Sequence, residues 1–329
     1  MRLIGDAPDR MPHGAEQPVM PGDGAREADR FREIFRRAHA LHLACAEDEW
    51  LAMPCCEPDG SPCLRPLVWS RRNGPWRHVD VLWVGAAPGN AGGRGSGTLG
   101  AHGTRIPFGG DIAGANLEVL MGSAGVNRNQ TFIVAALNQL PQRGGGEPRP
   151  AEILAPIGLY EDGLALLRDA VIACRPRLII ALGNVALRAL AGAVRRGLSV
   201  RLPGLAGLQR RGLHRHGWLR LDTALDPDPA FRETWVHESG ASDWPALLWT
   251  LHPSAQNMSP FAGEQTAFHA RMLATRRAVR TAVTEALGQA LPDERPELPR
   301  DGIYALPEWE SLIAPRLAPL LDRWRDRGV

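Results

Sequence analysis

The sequence predicts an α/β fold, a three-layer α/β/α sandwich around a central, mostly parallel four-stranded sheet. Three observations carry this expectation. Apolar runs at Val79–Val84, Thr131–Leu137, Leu178–Leu182 and Leu247–Leu251 have the length of strands rather than of buried helices. They are apolar at nearly every position, as strands covered on both faces are. Helical stretches lie between them, at Asn116–Met121, Glu161–Ala173 and Asn184–Arg196, where parallel strands need crossover connections.

Taken in order, residues 1–28 are rich in Pro, Gly, Asp and Arg without periodicity and read as a flexible N-terminal arm. Residues 29–53 predict a helix, with Phe31, Ile34, Phe35, Ala38, His42 and Cys45 at helical spacing. With the cysteine-bearing loop Pro54–Pro66, this makes an N-terminal extension over residues 29–77. The α/β domain spans 78–290. Its first strand enters Gly85-Ala86-Ala87-Pro88-Gly89, and the second stops at Asn138-Gln139-Leu140-Pro141. The third reaches Gly183, and the fourth ends at His252-Pro253-Ser254. Residues 204–244, rich in Arg, His and Trp, form an insertion before the fourth strand. Residues 291–329 form a C-terminal helical extension whose stripe of Trp309, Leu312, Ile313, Leu317, Leu320 and Trp324 reads as packing. Open α/β sheets bind ligands beyond the carboxyl ends of their strands, so the loops 85–111, 138–143 and 252–261 should converge on one site.

The charge inventory narrows the chemistry. The chain has 329 residues and a net charge of +2, and all 38 of its basic residues are arginine. With no lysine, imine chemistry on a side chain is excluded. So are a Walker-type phosphate loop and the lysine of a protein kinase. The remaining positive charge is permanent and planar, suited to phosphate or carboxylate. No apolar run approaches the roughly 18–20 residues that span a bilayer. The first residues lack the apolar core of a signal peptide, and five cysteines do not suggest a secreted disulfide framework. A cytoplasmic protein with no membrane partner is expected.

Gly95-Ser96-Gly97-Thr98-Leu99-Gly100 matches the dinucleotide spacing, but it lies well beyond the strand instead of in its tight turn. It reads as a surface loop. His252 is more informative. It stands at the end of a buried strand with Pro253 stiffening the next step, in company with Gly85–Gly89 and Asn138.

These strand ends resemble the uracil-DNA glycosylase superfamily, and in motif pattern its families 4 and 5. Gly85–Gly89 matches the Gly-x-x-Pro-Gly of the first motif. Pro107-Phe108-Gly109-Gly110 with Gly114 resembles the loop that follows in the families carrying an iron–sulfur cluster. Asn138 with Pro141 resembles the strand-end asparagine, and Arg175–Gly183 with Ala186 the third strand and its helix. His252-Pro253-Ser254 matches the second catalytic motif, with Gln256-Asn257 closest to the family 5 version. The likeness covers about residues 78–280 without the insertion.

The resemblance implies an α/β/α glycosylase that flips a nucleotide out of DNA and hydrolyses its base–sugar bond. His252 would donate to the base oxygen as charge develops there. Asn138 would read the pyrimidine edge, Phe108 would stack on the base, and Gly85, Ala86, Ala87 and Gly89 would line the pocket. Ala86 and Ala87 depart from families that carry a carboxylate or amide in this motif. Water activation then falls to Asp111, which a family 5 loop residue resembles, or to Asn90. A helix-capping role is the other reading of Asp111. Glycine at position 89 leaves the 5-side of the base open, so the base is uracil-like or a larger modified pyrimidine. A phage-defence glycosylase removing glucosylated hydroxymethylcytosine is one alternative, with the insertion enclosing the base. A catalytically silent DNA-binding relative is another.

DNA is the expected partner of a monomer. Ser254, Asn257, Met258 and Phe261 would face it, with Met258 or Phe261 as the wedge that fills the gap. Arg210, Arg211 and Arg215 would meet phosphates. No cofactor is required for catalysis. Cys45, Cys55, Cys56 and Cys63 are close enough in sequence to hold a structural iron–sulfur cluster or zinc, without a recognised ligand spacing. The core positions that align with the other cluster ligands are not cysteine, and Cys174 is expected to be buried.

Overall fold

The computed structural model describes residues 30, 33–34, 36–37, 50–52, 79–87, 108–126, 131–136, 139–141, 161–195, 219–239, 244–263, 266–288 and 313–329. In chain order the elements are β1 (Trp50–Ala52), β2 (Val81–Gly85), α1 (Ile112–Ser123), β3 (Thr131–Ala135), β4 (Gln139–Pro141), α2 (Glu161–Cys174) and β5 (Leu178–Leu182). There follow α3 (Gly183–Arg195), β6 (Leu219–Arg220), α4 (Leu221–Leu225), α5 (Pro229–Ser239), β7 (Ala246–Thr250), α6 (Ala267–Leu287) and α7 (Ala314–Arg325).

The expected parallel sheet is present. Its order is β3-β2-β5-β7-β6, and the first four strands run parallel. Every residue of β2, β5 and β7 is buried, which is why the sequence shows solid apolar runs there and not alternation. Alternate residues still part to opposite faces. Val81, Trp83, Ile133, Leu178, Ile180 and Leu248 join one apolar cluster with residues of α1, α6 and α7. Leu82, Val84, Phe132, Val134, Ile179 and Trp249 join the other, with α2, α3, α4 and α5.

Register aligns the strand ends. Gly85 pairs with Ala135, Val84 with Ala181, and Leu182 with Thr250. The chain leaves β2 for β3 on one side and then crosses to β5 on the other, so the topology reverses between β2 and β5. A crevice opens at the carboxyl ends of strands at such a point.

The structure corrects one expectation and adds two features. Arg30, Glu33, Ile34, Arg36 and Arg37 are helical, and Ile34 is buried against the sheet, but the helix does not reach residue 53. Trp50–Ala52 instead forms β1, paired antiparallel with β4, because a partner strand distant in sequence completes its backbone hydrogen bonds. The later part of the insertion carries secondary structure. β6 adds a short antiparallel edge strand beside β7, while Leu221, Leu225, Phe231 and Trp235 are buried in the core. Arg168 of α2 anchors this part, with Nη1 3.1 Å from Asp228 Oδ2 and its guanidinium 4.9 Å from the centre of the Phe231 ring. Finally, α6 is a 21-residue helix that the apolar pattern did not single out, since its buried positions are few. Among the described residues no helix is long and apolar enough to cross a membrane.

Candidate functional site

Two loops meet at the strand ends. The one after β2 returns at Phe108, which enters α1 with a φ of 54°. A bulky aromatic residue at positive φ is an outlier whose strain, about 1–3 kcal/mol, persists only where the surroundings enforce it. The enforcement is visible. The ring edge of Phe108 lies against Gly85 at the end of β2, where a Cβ would stand 3.1 Å from its Cε2 and Cζ. The Phe108 ring centre is 5.8 Å from that of His252, with the planes tilted by 38°.

His252 follows β7 and is half-buried. Gly183, at the junction of β5 and α3, has a φ of 88°, and a Cβ there would lie 3.0 Å from the Cβ of His252. Glycine at this strand end therefore lets the histidine backbone approach the switch point. The imidazole and the aromatic ring share one wall, formed by residues from β2, β5 and β7 and the loop before α1.

The loop carrying His252 is braced from inside. The Asn257 amide donates to the carbonyl of His252 at 2.9 Å and to Ser254 Oγ at 3.4 Å. Backbone N–H groups of Asn257 and Met258 both donate to the Ser254 carbonyl, closing a turn. From α1, the buried amide of Asn116 donates to the Pro253 carbonyl at 2.7 Å and to the Met258 carbonyl at 2.9 Å.

This geometry redistributes the expected roles. Met258, a wedge candidate, is fully buried in the cluster with α1, α6 and α7 and cannot enter a base stack. Phe261, the other candidate, is 55% exposed. The Asn257 side chain is turned onto its own loop, while Ser254 remains half-exposed. Asp111 is the N-cap of α1, accepting from Gly114 N at 2.7 Å through Oδ1. Among the described residues its second oxygen makes no hydrogen bond, so the cap leaves one oxygen of the carboxylate uncommitted. Ala86 is buried and Ala87 half-buried just beyond Gly85. Asn90, Gly89, Asn138, Arg210, Arg211 and Arg215 lie outside the described residues. By sequence Asn116 belongs to a crossover helix, outside the motifs that mark the site. The signal for it is an amide inside the apolar run of α1, since a polar group buried there must find partners.

Cys45, Cys55, Cys56 and Cys63 also lie outside the described residues. Cys174 is fully buried, as expected, and desolvation pushes its thiol up from the ordinary range. Among the described residues no group of His, Cys, Asp and Glu is arranged to hold a metal.

A mostly parallel sheet with helices on both faces, and with a strained aromatic ring and an imidazole beside its switch point, is an α/β domain of the open-sheet class. The family model for the uracil-DNA glycosylase superfamily matches residues 72–275, more than half of the sequence, and the chain belongs to that superfamily. The superfamily's activity is that of a DNA glycosylase, a hydrolase of base excision repair whose partner is DNA. No curated protein matches the chain with significance.

Proposed function

We propose that the chain is a monofunctional DNA glycosylase that takes a uracil-like or modified pyrimidine out of the DNA stack and hydrolyses its glycosidic bond. The observation that carries this reading is the pair of Phe108, just before α1, and His252, just after β7, 5.8 Å apart in a superfamily member. A flipped base stacks on the aromatic ring. As the C1′–N bond breaks, its electron pair moves onto the base, and an imidazole N–H donates to the base oxygen that gains charge. A water oxygen then bonds to C1′ and loses its proton, for which the uncommitted oxygen of Asp111 is the acceptor. This sequence of steps needs no cofactor.

The absence of lysine supports the monofunctional part, because no side-chain amine is present to form an imine with C1′ and cut the strand. The product is an abasic site in an unbroken strand. Duplexes bearing uracil or glucosylated hydroxymethylcytosine, incubated with the protein and then treated with alkali, test the reading. Breaks at only the glucosylated base would assign a phage-defence role. Intact strands from every substrate, with DNA binding retained, would show a silent relative and overturn it.

A further inference from the structure

The C-terminal helix α7 lies outside the family match, which ends at residue 275. Two adjacent side chains of α7 nevertheless act on the His252–Phe261 loop, Trp324 through Asn116 and Arg323 directly. Trp324 is fully buried, and its indole Nε1 donates to Asn116 Oδ1 at 2.7 Å. The other end of that amide holds the carbonyls of Pro253 and Met258. An indole is a donor only, so it dictates which way the amide faces. Turned over, the amide would set N–H against N–H and its oxygen against two carbonyl oxygens in a dry site. Trp324 thus orients Asn116, and Asn116 pins the backbone directly after His252 and at the end of its turn. On the outer side, the Arg323 guanidinium lies over the exposed Phe261 ring, 4.7 Å from its centre.

We propose that α7 is a working part of the glycosylase site. Trp324, acting through Asn116, is a positioning residue for the loop that carries His252, and Arg323 holds Phe261 in the orientation presented to DNA. The brace matters because the loop's own hydrogen bonds close turns within it, and such a segment can still open locally as a unit unless neighbours hold it. Its consequence for excision rests on the glycosylase reading, whereas its consequence for loop order does not.

The test uses the full chain with Trp324→Phe, which keeps an aromatic ring and deletes the donor, and with Arg323→Ala at the surface. Hydrogen exchange is followed by mass spectrometry in peptides covering 252–261 and, as reference, β5. Excision is measured in single turnover at saturating enzyme. Trp324→Phe is expected to speed exchange in the loop about tenfold with β5 unchanged. Its excision rate should fall about tenfold while affinity for an abasic-site duplex stays within about twofold. Arg323→Ala should speed exchange about threefold around Phe261. Unchanged loop exchange in Trp324→Phe, or an equal loosening of β5, overturns the positioning role. Should Trp324→Phe fail to fold, unaltered exchange in Arg323→Ala overturns the proposal by itself. A wild-type protein that excises no base would sink the glycosylase reading, and the exchange data would still decide this one.

Discussion

The Cβ of His252 stands 3.0 Å from the position that a Cβ on Gly183 would occupy. One residue at the end of β5 therefore limits where the imidazole after β7 can sit. Gly183→Ala meets both a φ of 88° and this contact, so the variant should lose about 1–2 kcal/mol of stability from the backbone conformation alone. Displacing His252 should lower excision further than that loss explains. Thermal denaturation and single-turnover rates, measured together, separate the two effects, and an unimpaired rate would show that His252 tolerates the shift.

His252→Gln keeps a polar side chain but removes the imidazole from the Phe108 wall. Excision should fall about 10²–10³-fold, the range for loss of one donor to a developing anion, with DNA affinity little changed. A gel-shift titration beside the rate measurement checks this, and equal losses in both would point to a binding role.

Asp111 offers a clean separation of structure from chemistry. Asparagine caps a helix about as well as aspartate, so Asp111→Asn should leave the melting temperature in place while abolishing the acceptor for the water proton. Asp111→Ala should lose about 0.5–2 kcal/mol in addition, from the missing cap. Undiminished excision by Asp111→Asn would remove this carboxylate from the mechanism.

Met258 and Phe261 should respond in opposite ways. Met258→Ala opens a cavity in the core and should be destabilised by about 2–5 kcal/mol. Phe261→Ala should melt like the parent, yet slow excision from duplex DNA more than from single strands, where no stacked gap needs filling. Identical slowing on both substrates would exclude a wedge.

Borohydride reduction during turnover should trap no covalent protein–DNA adduct, because the chain has no lysine to form an imine. A trapped species would place the amine at the N-terminus and make the enzyme bifunctional.

Much of the fold was legible because it is written in local pattern. The strand Leu178–Leu182 is observed with its expected bounds, and the fourth strand begins one residue earlier than its apolar run suggests. The helices at residues 112–123, 161–174 and 183–195 match the crossovers to within a few positions. What misled was segments whose state depends on a distant partner. Trp50–Ala52 continues a helical pattern by spacing but is a strand because Gln139–Pro141 lies beside it. The stretch 219–239 reads only as part of an insertion, yet its Phe231 and Trp235 fill the core.

By itself the sequence determined the fold class, the succession of strands and crossovers, and a charge chemistry without lysine. It also put Gly85, Gly183 and His252 at strand ends and Phe108 in the loop that follows the first strand. These properties depend on composition and period, which neighbours along the chain decide. Only the tertiary structure decided which of those residues meet. It set Phe108 against His252, turned Met258 inward and Phe261 outward, and folded Asn257 onto its own loop. It also joined Asn116 to Trp324 across 208 positions of sequence, a bond no local pattern encodes because it exists only once two distant helices have packed.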